Sequence, residues 1–501
     1  MNQSVAGAAL RGAARSSVLS FAGALISGLA GFGLSLILGR GLGPVGSGFV
    51  FQMISVFTIA TAIAKLGLDT TAVWLLPRLA IDSRRDIRTA NRVLLLGALV
   101  GGFAAGGAVA LVAPLLDGGH GELLLLLQLS ALFMPAASVG TVALAVTRGL
   151  GGIRPYVLIG SIGLPGLRLA ASAVAISISA SAVLVGTMWL AALMVVAVLA
   201  LIAVARSLRP FPPASPADGP ARRLVPQIRR FSLPRAVSSI VEQALLWQDV
   251  LIVGIIVGPA AAGIYAVVTR LVQAGFIPST SMRIVVSPDF SRMVHQERID
   301  ELTEFYTRTT QWIVLMSAPI FVLFAILGQP ILRVFGPGFE SGFVALAIAS
   351  LGGLIWSSAG NVQSLLLMGG GSGWAAINKA IVLVVSLGLL LTLVPFWGIV
   401  GAATAWTLSM SLDALLAVIR VRLSLGVRMN LRAIAAALLC ATACAAVPAL
   451  IARYSWGDGV AALIVGTVGA FLALAVTLLI FRRTFALDHA IAVFTGRRTR
   501  G

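Results

Sequence analysis

Seven ionisable side chains lie inside stretches of this chain that are otherwise apolar: Lys65, Asp69, Arg168, Glu242, Asp249, Arg270 and Asp413. In hydrocarbon each costs about 2.5–3.5 kcal/mol on insertion scales, so each is by default a candidate for function. Two chemistries fit such residues. A cation in a membrane cavity can hold phosphate or pyrophosphate, and guanidinium does so through paired donors. A carboxylate in a medium of low dielectric is easier to protonate, which suits coupling to a proton. No nucleophile–base arrangement accompanies these residues, and the sequence offers no catalytic group.

The surrounding sequence explains why these charges are rare. The chain has 501 residues, 59% of them hydrophobic and only 11% charged, with a mean hydropathy of +1.02. A soluble chain is nearer one-quarter charged. Breaking the sequence at turn residues and charges predicts fourteen membrane spans, at 17–39, 49–76, 92–113, 122–147, 156–178, 182–205, 232–257, 262–287, 309–332, 342–368, 374–394, 398–419, 432–452 and 459–481. The expected fold is therefore an all-α integral membrane protein. Ser17 to Gly39 is too long for the apolar region of a signal peptide and reads as an uncleaved first span.

The basic residues orient these spans. Thirty of the 36 Lys and Arg fall on one side, including Arg11, Arg15, Arg78, Arg84, Arg85, Arg88 and the tail from Arg482 to Arg500. Only Arg40, Arg333 and Arg453 fall on the other, and Lys65, Arg168 and Arg270 fall within spans. The basic side is expected to be cytoplasmic, with both termini on it. This dispersed placement argues against a nucleic-acid partner for the formal charge of +19. Cys440 and Cys444 read as small packing residues, and nothing in the sequence resembles a metal-binding cluster.

The linker from Ser207 to Phe231 carries FPPASPADGP and is expected to be extended. It divides the chain into residues 1–206, a six-helix bundle, and 232–425, a second six-helix bundle. Residues 426–501 add two helices and a basic tail. A short amphipathic surface helix is expected between Asp289 and Arg308, from Phe290, Met293, Ile299, Leu302 and Phe305. The halves also share a motif. Gly43-Pro44-Val45-Gly46-Ser47-Gly48 and Gly258-Pro259-Ala260-Ala261-Ala262-Gly263 are both GPxxxG, 215 residues apart, each in an outward hairpin. A looser copy is Gly336-Pro337 with Gly342. Parallel repeats of this kind imply a pseudo-two-fold axis along the membrane normal. In span 1, Gly23, Ser27, Gly31, Ser35 and Gly39 form a ridge at every fourth residue, which reads as close helix packing or as cavity width.

Set on these spans, the seven charges acquire roles. Arg168 follows Pro165 in span 5, where a kink can open backbone onto a cavity, and has no partner close in sequence. It is the favoured pyrophosphate cation. Glu242, in mid-span 7, also lacks a local partner and is either an ion-coupling site or an uncharged packing residue. Asp249 and Arg270 each lie eight residues from the turn joining spans 7 and 8, about 12 Å deep, and can pair across it. Lys65 and Asp69, at i and i+4, satisfy each other or face a cavity. Asp413 is expected to reach water or a nearby arginine. The cavity cations are thus Arg168, Arg270, Lys65 and Arg40, and the ion-coupling candidates are Glu242, Asp249, Asp69 and Asp413.

Arg40 to Gly48 (RGLGPVGSG) and Leu66-Gly67-Leu68-Asp69 resemble the opening of the polysaccharide flippases, within the multidrug/oligosaccharidyl-lipid/polysaccharide exporter superfamily. Asp249 to Gly254, then Gly258-Pro259 and Gly263-Ile264-Tyr265, are similar to that family's seventh and eighth spans. Gly336-Pro337 with Phe339, and Gly398 to Ala403, extend the likeness over roughly residues 15 to 425. The resemblance implies a MATE-like V-shaped transporter of two pseudo-symmetric six-helix bundles plus two C-terminal helices. It implies a flippase for lipid-linked oligosaccharide in the bacterial cytoplasmic membrane, working by alternating access with an H+ or Na+ gradient as driving force. No cofactor is implied; the partners are the lipid-linked substrate, membrane lipids and polysaccharide polymerase or export machinery. Two alternatives stay open: a cation-coupled multidrug exporter, whose relatives usually stop at twelve spans, and a lipid II flippase, whose Arg-rich opening is absent here.

Overall fold

The computed structural model describes residues 2–212 and 220–480, with side chains from 22 and, after the gap, from 223. Part of the Pro-rich stretch, at 213–219, and the basic tail from 481 lie outside the described residues. Every regular element among the described residues is helical. Among the described residues, twelve helical stretches, several of them made of consecutive elements, are long and apolar enough to cross a membrane, which makes the chain a multi-pass membrane protein. Contacts divide it into two compact units, Met1–Gly263 and Ile264–Gly501.

Unit 1 contains α1 (Asn2–Ala64), α2 (Leu68–Asp82), α3 (Asp86–Leu116), α4 (Glu122–Gly149), the single turn α5 (Ile153–Pro155), α6 (Leu164–Ile178), α7 (Ala182–Ser207) and α8 (Pro220–Ile256). α9 (Pro259–Gly275) begins in unit 1 and ends in unit 2. Unit 2 continues with α10 (Ile277–His295), α11 (Ile299–Arg333), α12 (Phe343–Ser358), α13 (Val362–Met368), α14 (Ser372–Leu425), α15 (Leu431–Trp456) and α16 (Val460–Ile480).

The expected spans appear as twelve stretches because two pairs run on without an intervening loop. Spans 11 and 12 share α14, whose 54 residues would reach about 80 Å if straight, far beyond a hydrocarbon core of about 30 Å. The helix breaks at Gly398, where φ is 54° and ψ −131°. A Cβ on Gly401 would collide with Leu393 O and stand 3.1 Å from Val394 N. In a straight helix residues 393 and 401 are about 12 Å apart, so the chain doubles back at Gly398. Spans 1 and 2 likewise share α1, which breaks at Gly43 (φ 66°, ψ −173°).

The second half of α1 and the start of α9 meet through the two GPxxxG stretches. A Cβ on Gly48 would collide with Pro259 O and lie 3.1 Å from Gly263 N. One on Gly263 would collide with Pro44 O and lie 2.9 Å from Gly48 N. The repeated glycines are therefore required because each backbone occupies the other's side-chain space.

Three spans are interrupted along their length. Span 2 unwinds between α1 and α2 at Lys65–Gly67, with Leu66 (φ 50°) and Gly67 (φ 69°) both in the left-handed region. Gly67 is needed there twice over, since its Cβ would also stand 2.5 Å from Ser232 O on α8. Span 8 breaks at Phe276, between α9 and α10. Span 10 breaks between α12 and α13 at 359–361, where Gly360 has φ 58°. Irregular backbone at membrane depth is tolerated only where protein or a cavity covers it.

Two sequence expectations are corrected here. No separate surface helix spans 289–308. Instead α10 runs on to His295, the chain turns at Gln296–Arg298, and α11 begins at Ile299. The apolar residues that predicted a lipid-facing stripe pack into unit 2: Phe290 and Leu302 are fully buried, and Met293, Ile299 and Phe305 pack around them. An apolar stripe reads alike in sequence whether lipid or protein covers it. The linker also shortens. Residues 220–231 belong to α8, with Leu224 and Ile228 buried, and Arg88 holds the segment after α7 by donating to Leu208 O and Phe211 O at 3.2 and 3.1 Å.

Candidate functional site

In unit 1 the chain between α5 and α6 forms a π-helix over Tyr156–Gly163, an i→i+5 geometry frequent at functional sites. It lies against the small-residue ridge of α1, where a Cβ on Gly23 would stand 2.8 Å from Val157 Cγ1. α6 follows with Pro165 in its first turn. Arg168 then falls ten residues before the end of α6, about 15 Å deep along the helix. That length is about half of a hydrocarbon core of about 30 Å.

Arg168 faces α7. Its Cζ lies 3.4 Å from the centre of the Trp189 ring, a cation–π contact. Trp189 in turn meets Phe57 of α1 edge-to-face, with ring centres 5.8 Å apart. One helical turn beyond Arg168, on the same face of α6, is the fully buried Ser172. Arg168 Nε, Ser172 Oγ and Trp189 Nε1 are all enclosed and none has a hydrogen-bond partner among the described residues. The guanidinium also has no carboxylate partner among them. Chemically this is a half-buried positive group whose enclosed Nε lies near two other unused donors, an arrangement that an anion would satisfy.

The other charges sort into different environments. Lys65 Nζ donates to Asp69 Oδ2 at 2.8 Å, bridging the break in span 2, and Asp69 Oδ1 accepts from Thr70 N at 2.8 Å. Asp413 differs from expectation. It is fully buried and bonded to Lys379 Nζ at 2.8 Å and Gln363 Nε2 at 3.1 Å, rather than reaching water or an arginine. The reason is the fold-back at Gly398, which sets the two halves of α14 side by side, while the break in span 10 turns Gln363 toward them. Asp413 Oδ1 and both polar side-chain atoms of Asn378 have no hydrogen-bond partner among the described residues. Glu242 is exposed on α8. Asp249 is buried and its Oδ1 accepts from Val250 N at 2.8 Å. Arg270 Nη1 donates to Gln273 Oε1 at 2.9 Å. Arg40 is exposed near the break of α1 at Gly43.

Trp189, Ser172, Lys379, Gln363 and Asn378 were not singled out from sequence. Ser172 had a legible signal, four residues from Arg168 on a helix. Lys379 lies within α14, seven residues after its start. Trp189 and Gln363 carried no local signal, since their partners are on other helices.

A family model described as polysaccharide biosynthesis protein matches residues 37–337. A curated relative, the probable flippase AglR of Haloferax volcanii, is 26% identical over 183 residues. That alignment covers 34% of this chain and 37% of the relative, so the chain matches little more than a third of the relative's length. Among solved structures, the lipid II flippase MurJ in an inward closed conformation superposes with a TM-score of 0.71 at 11% identity, over 93% of this chain and 99% of that one. A multidrug resistance MATE family transporter of the MOP superfamily, inward-facing, gives 0.65 at 16% identity over 80% and 94%. An outward-facing structure of such a transporter gives 0.54 at 16% identity over 82% and 95%. These likenesses establish the fold. With more than half of its length matched by the family model, this chain belongs to the polysaccharide biosynthesis protein family and has the fold shared by MATE transporters and MurJ.

Proposed function

We propose that the chain is a flippase that moves a lipid-linked oligosaccharide across the bacterial cytoplasmic membrane by alternating access. The observation that carries this reading is Arg168, a guanidinium about 15 Å from the end of α6 whose enclosed Nε has no hydrogen-bond partner among the described residues. A pyrophosphate linking sugar to lipid supplies the missing anion, while the lipid tail stays in the hydrocarbon. Family membership and the name of the Haloferax relative support the same class. No covalent step is needed, and the protein acts as a transporter rather than an enzyme. Its partners are the lipid-linked substrate, the surrounding lipids and the polymerase or export machinery that consumes the product.

The reading includes fourteen crossings with both termini cytoplasmic, counting α1 and α14 as two each, and a linker between two bundles. Among the remaining charges, Lys65, Arg270 and Arg40 supply further positive potential, and Asp69, Asp249, Asp413 and Glu242 are the carboxylates available for H+ or Na+ coupling. A lipid II flippase would use the same pocket, since lipid II also joins sugar to lipid through pyrophosphate, and the MurJ-like fold favours keeping this second reading.

The test is genetic and chemical together. Deleting the gene should trap lipid-linked repeat units on the cytoplasmic face, and Arg168→Gln should fail to restore export. Normal surface polysaccharide in the deletion strain would refute the proposal. Failure of peptidoglycan synthesis instead would point to lipid II.

A further inference from the structure

We infer that Ser172 and Trp189 complete, with Arg168, a three-donor pocket for a phosphate-bearing headgroup between α6 and α7. This rests on Arg168 as the phosphate cation and names the groups that position and select the ligand. Arg168 alone would be a point of positive charge. The two neighbours make it a site.

Three observations carry the inference. First, Ser172 is 0% exposed and Trp189 3%, so neither polar group can turn to solvent for its missing bond. Buried polar groups are normally paired, as on neighbouring helices, where Ser55 Oγ of α1 donates to Phe51 O and Ser130 Oγ of α4 to Leu127 O, both at 2.8 Å. Ser138, Ser317, Ser350 and Ser357 share with Ser172 the lack of a partner among the described residues, but none of them neighbours a buried cation donor on its own helix face. Ser172 makes no such bond. Second, the Trp189 ring has its face against the guanidinium and a contact with Phe57. The ring is therefore clamped while its Nε1–H stays unused. Third, stacking over the ring uses the face of the guanidinium and leaves its edge donors for a planar or tetrahedral anion. Trp189 is thus a positioning residue for Arg168 as well as a donor in its own right. Donors from a guanidinium, a hydroxyl and an indole together fit phosphate oxygens. They offer nothing to a cation.

The test uses the full chain in phosphatidylcholine nanodiscs, titrated with undecaprenyl pyrophosphate, with phosphatidylglycerol as a separate arm. Ser172→Ala and Trp189→Phe should each weaken binding of undecaprenyl pyrophosphate about tenfold, the scale of one hydrogen bond to a charged group. Unliganded thermal stability of Ser172→Ala should be unchanged or higher, because the wild-type hydroxyl is unsatisfied. A merely structural serine would lower it. Ser172→Cys, close in shape with a weaker donor, should give intermediate affinity. Trp189→Leu, which removes the platform, should lose more than Trp189→Phe.

Wild-type affinity in both Ser172→Ala and Trp189→Phe, with binding lost in Arg168→Gln, overturns this inference and leaves the functional reading intact. Wild-type affinity in Arg168→Gln overturns both. Saturation by phosphatidylglycerol that undecaprenyl pyrophosphate does not displace makes the pocket a bulk-lipid site, and likewise overturns the inference.

Discussion

Gly48 and Gly263, 215 residues apart in sequence, pack backbone to backbone: a Cβ on either would come within 3.1 Å of the other's amide nitrogen. Each closes a GPxxxG stretch, and each stretch also presents a proline carbonyl to the opposite glycine. The repeat thus marks two copies of one turn that use each other as packing surface. Gly48→Ala and Gly263→Ala should each destabilise the protein by about 1–3 kcal/mol through overpacking. Gly28→Ala, where nothing lies within 4 Å of the added Cβ, should not. Thermal unfolding in detergent measures all three, and equal midpoints would contradict the contact.

The Lys379–Asp413 pair should respond asymmetrically. Asp413 is 0% exposed while the Lys379 side chain is 33% exposed. Removing the lysine strands a buried carboxylate, whereas removing the carboxylate frees a lysine that can turn toward water. Lys379→Met should therefore lower stability more than Asp413→Asn, by up to about 3 kcal/mol when a buried charge is left without its partner. A larger loss in Asp413→Asn would reverse the argument.

At the break in span 2, Lys65 and Asp69 are 16% and 19% exposed, so their pairing is partly screened. Lys65→Met and Asp69→Leu should each be more harmful to stability than the double change, because the double change leaves no unmatched charge. A double-mutant cycle gives the coupling, and strict additivity would mean that the 2.8 Å contact contributes nothing.

For Arg168 the expected order in transport is wild type, then Arg168→Lys, then Arg168→Gln. Lysine keeps the charge and loses the planar fork that stacks on Trp189. Counterflow of a fluorescent lipid-linked sugar in proteoliposomes reads this directly. Equal rates in all three would remove Arg168 from the site.

Much of this architecture is legible in the residues themselves. Apolar runs of spanning length and the basic loops identify the helices, since hydrocarbon rejects charge whatever the helix packs against. The i, i+4 spacing of Lys65 and Asp69 foretold their bond because one helical turn brings them together, and it does so even across the break. The surface helix at 289–308 misled for the complementary reason. Phe290 and Leu302 are apolar in a pattern suited to lipid, and only the turn at Gln296–Arg298 decides that they face protein.

What the sequence determined by itself, then, is what depends on local composition and period: a polytopic helical membrane chain, its family motifs, and the few charges that need explaining. What only the tertiary structure decided is which of those charges are answered. Asp413 meets Lys379 because α14 folds back at Gly398. Arg168 meets Trp189 because α6 and α7 pack together, and it keeps an unpaired donor there. Such partners are set by helix packing between segments distant in sequence, which no local period encodes.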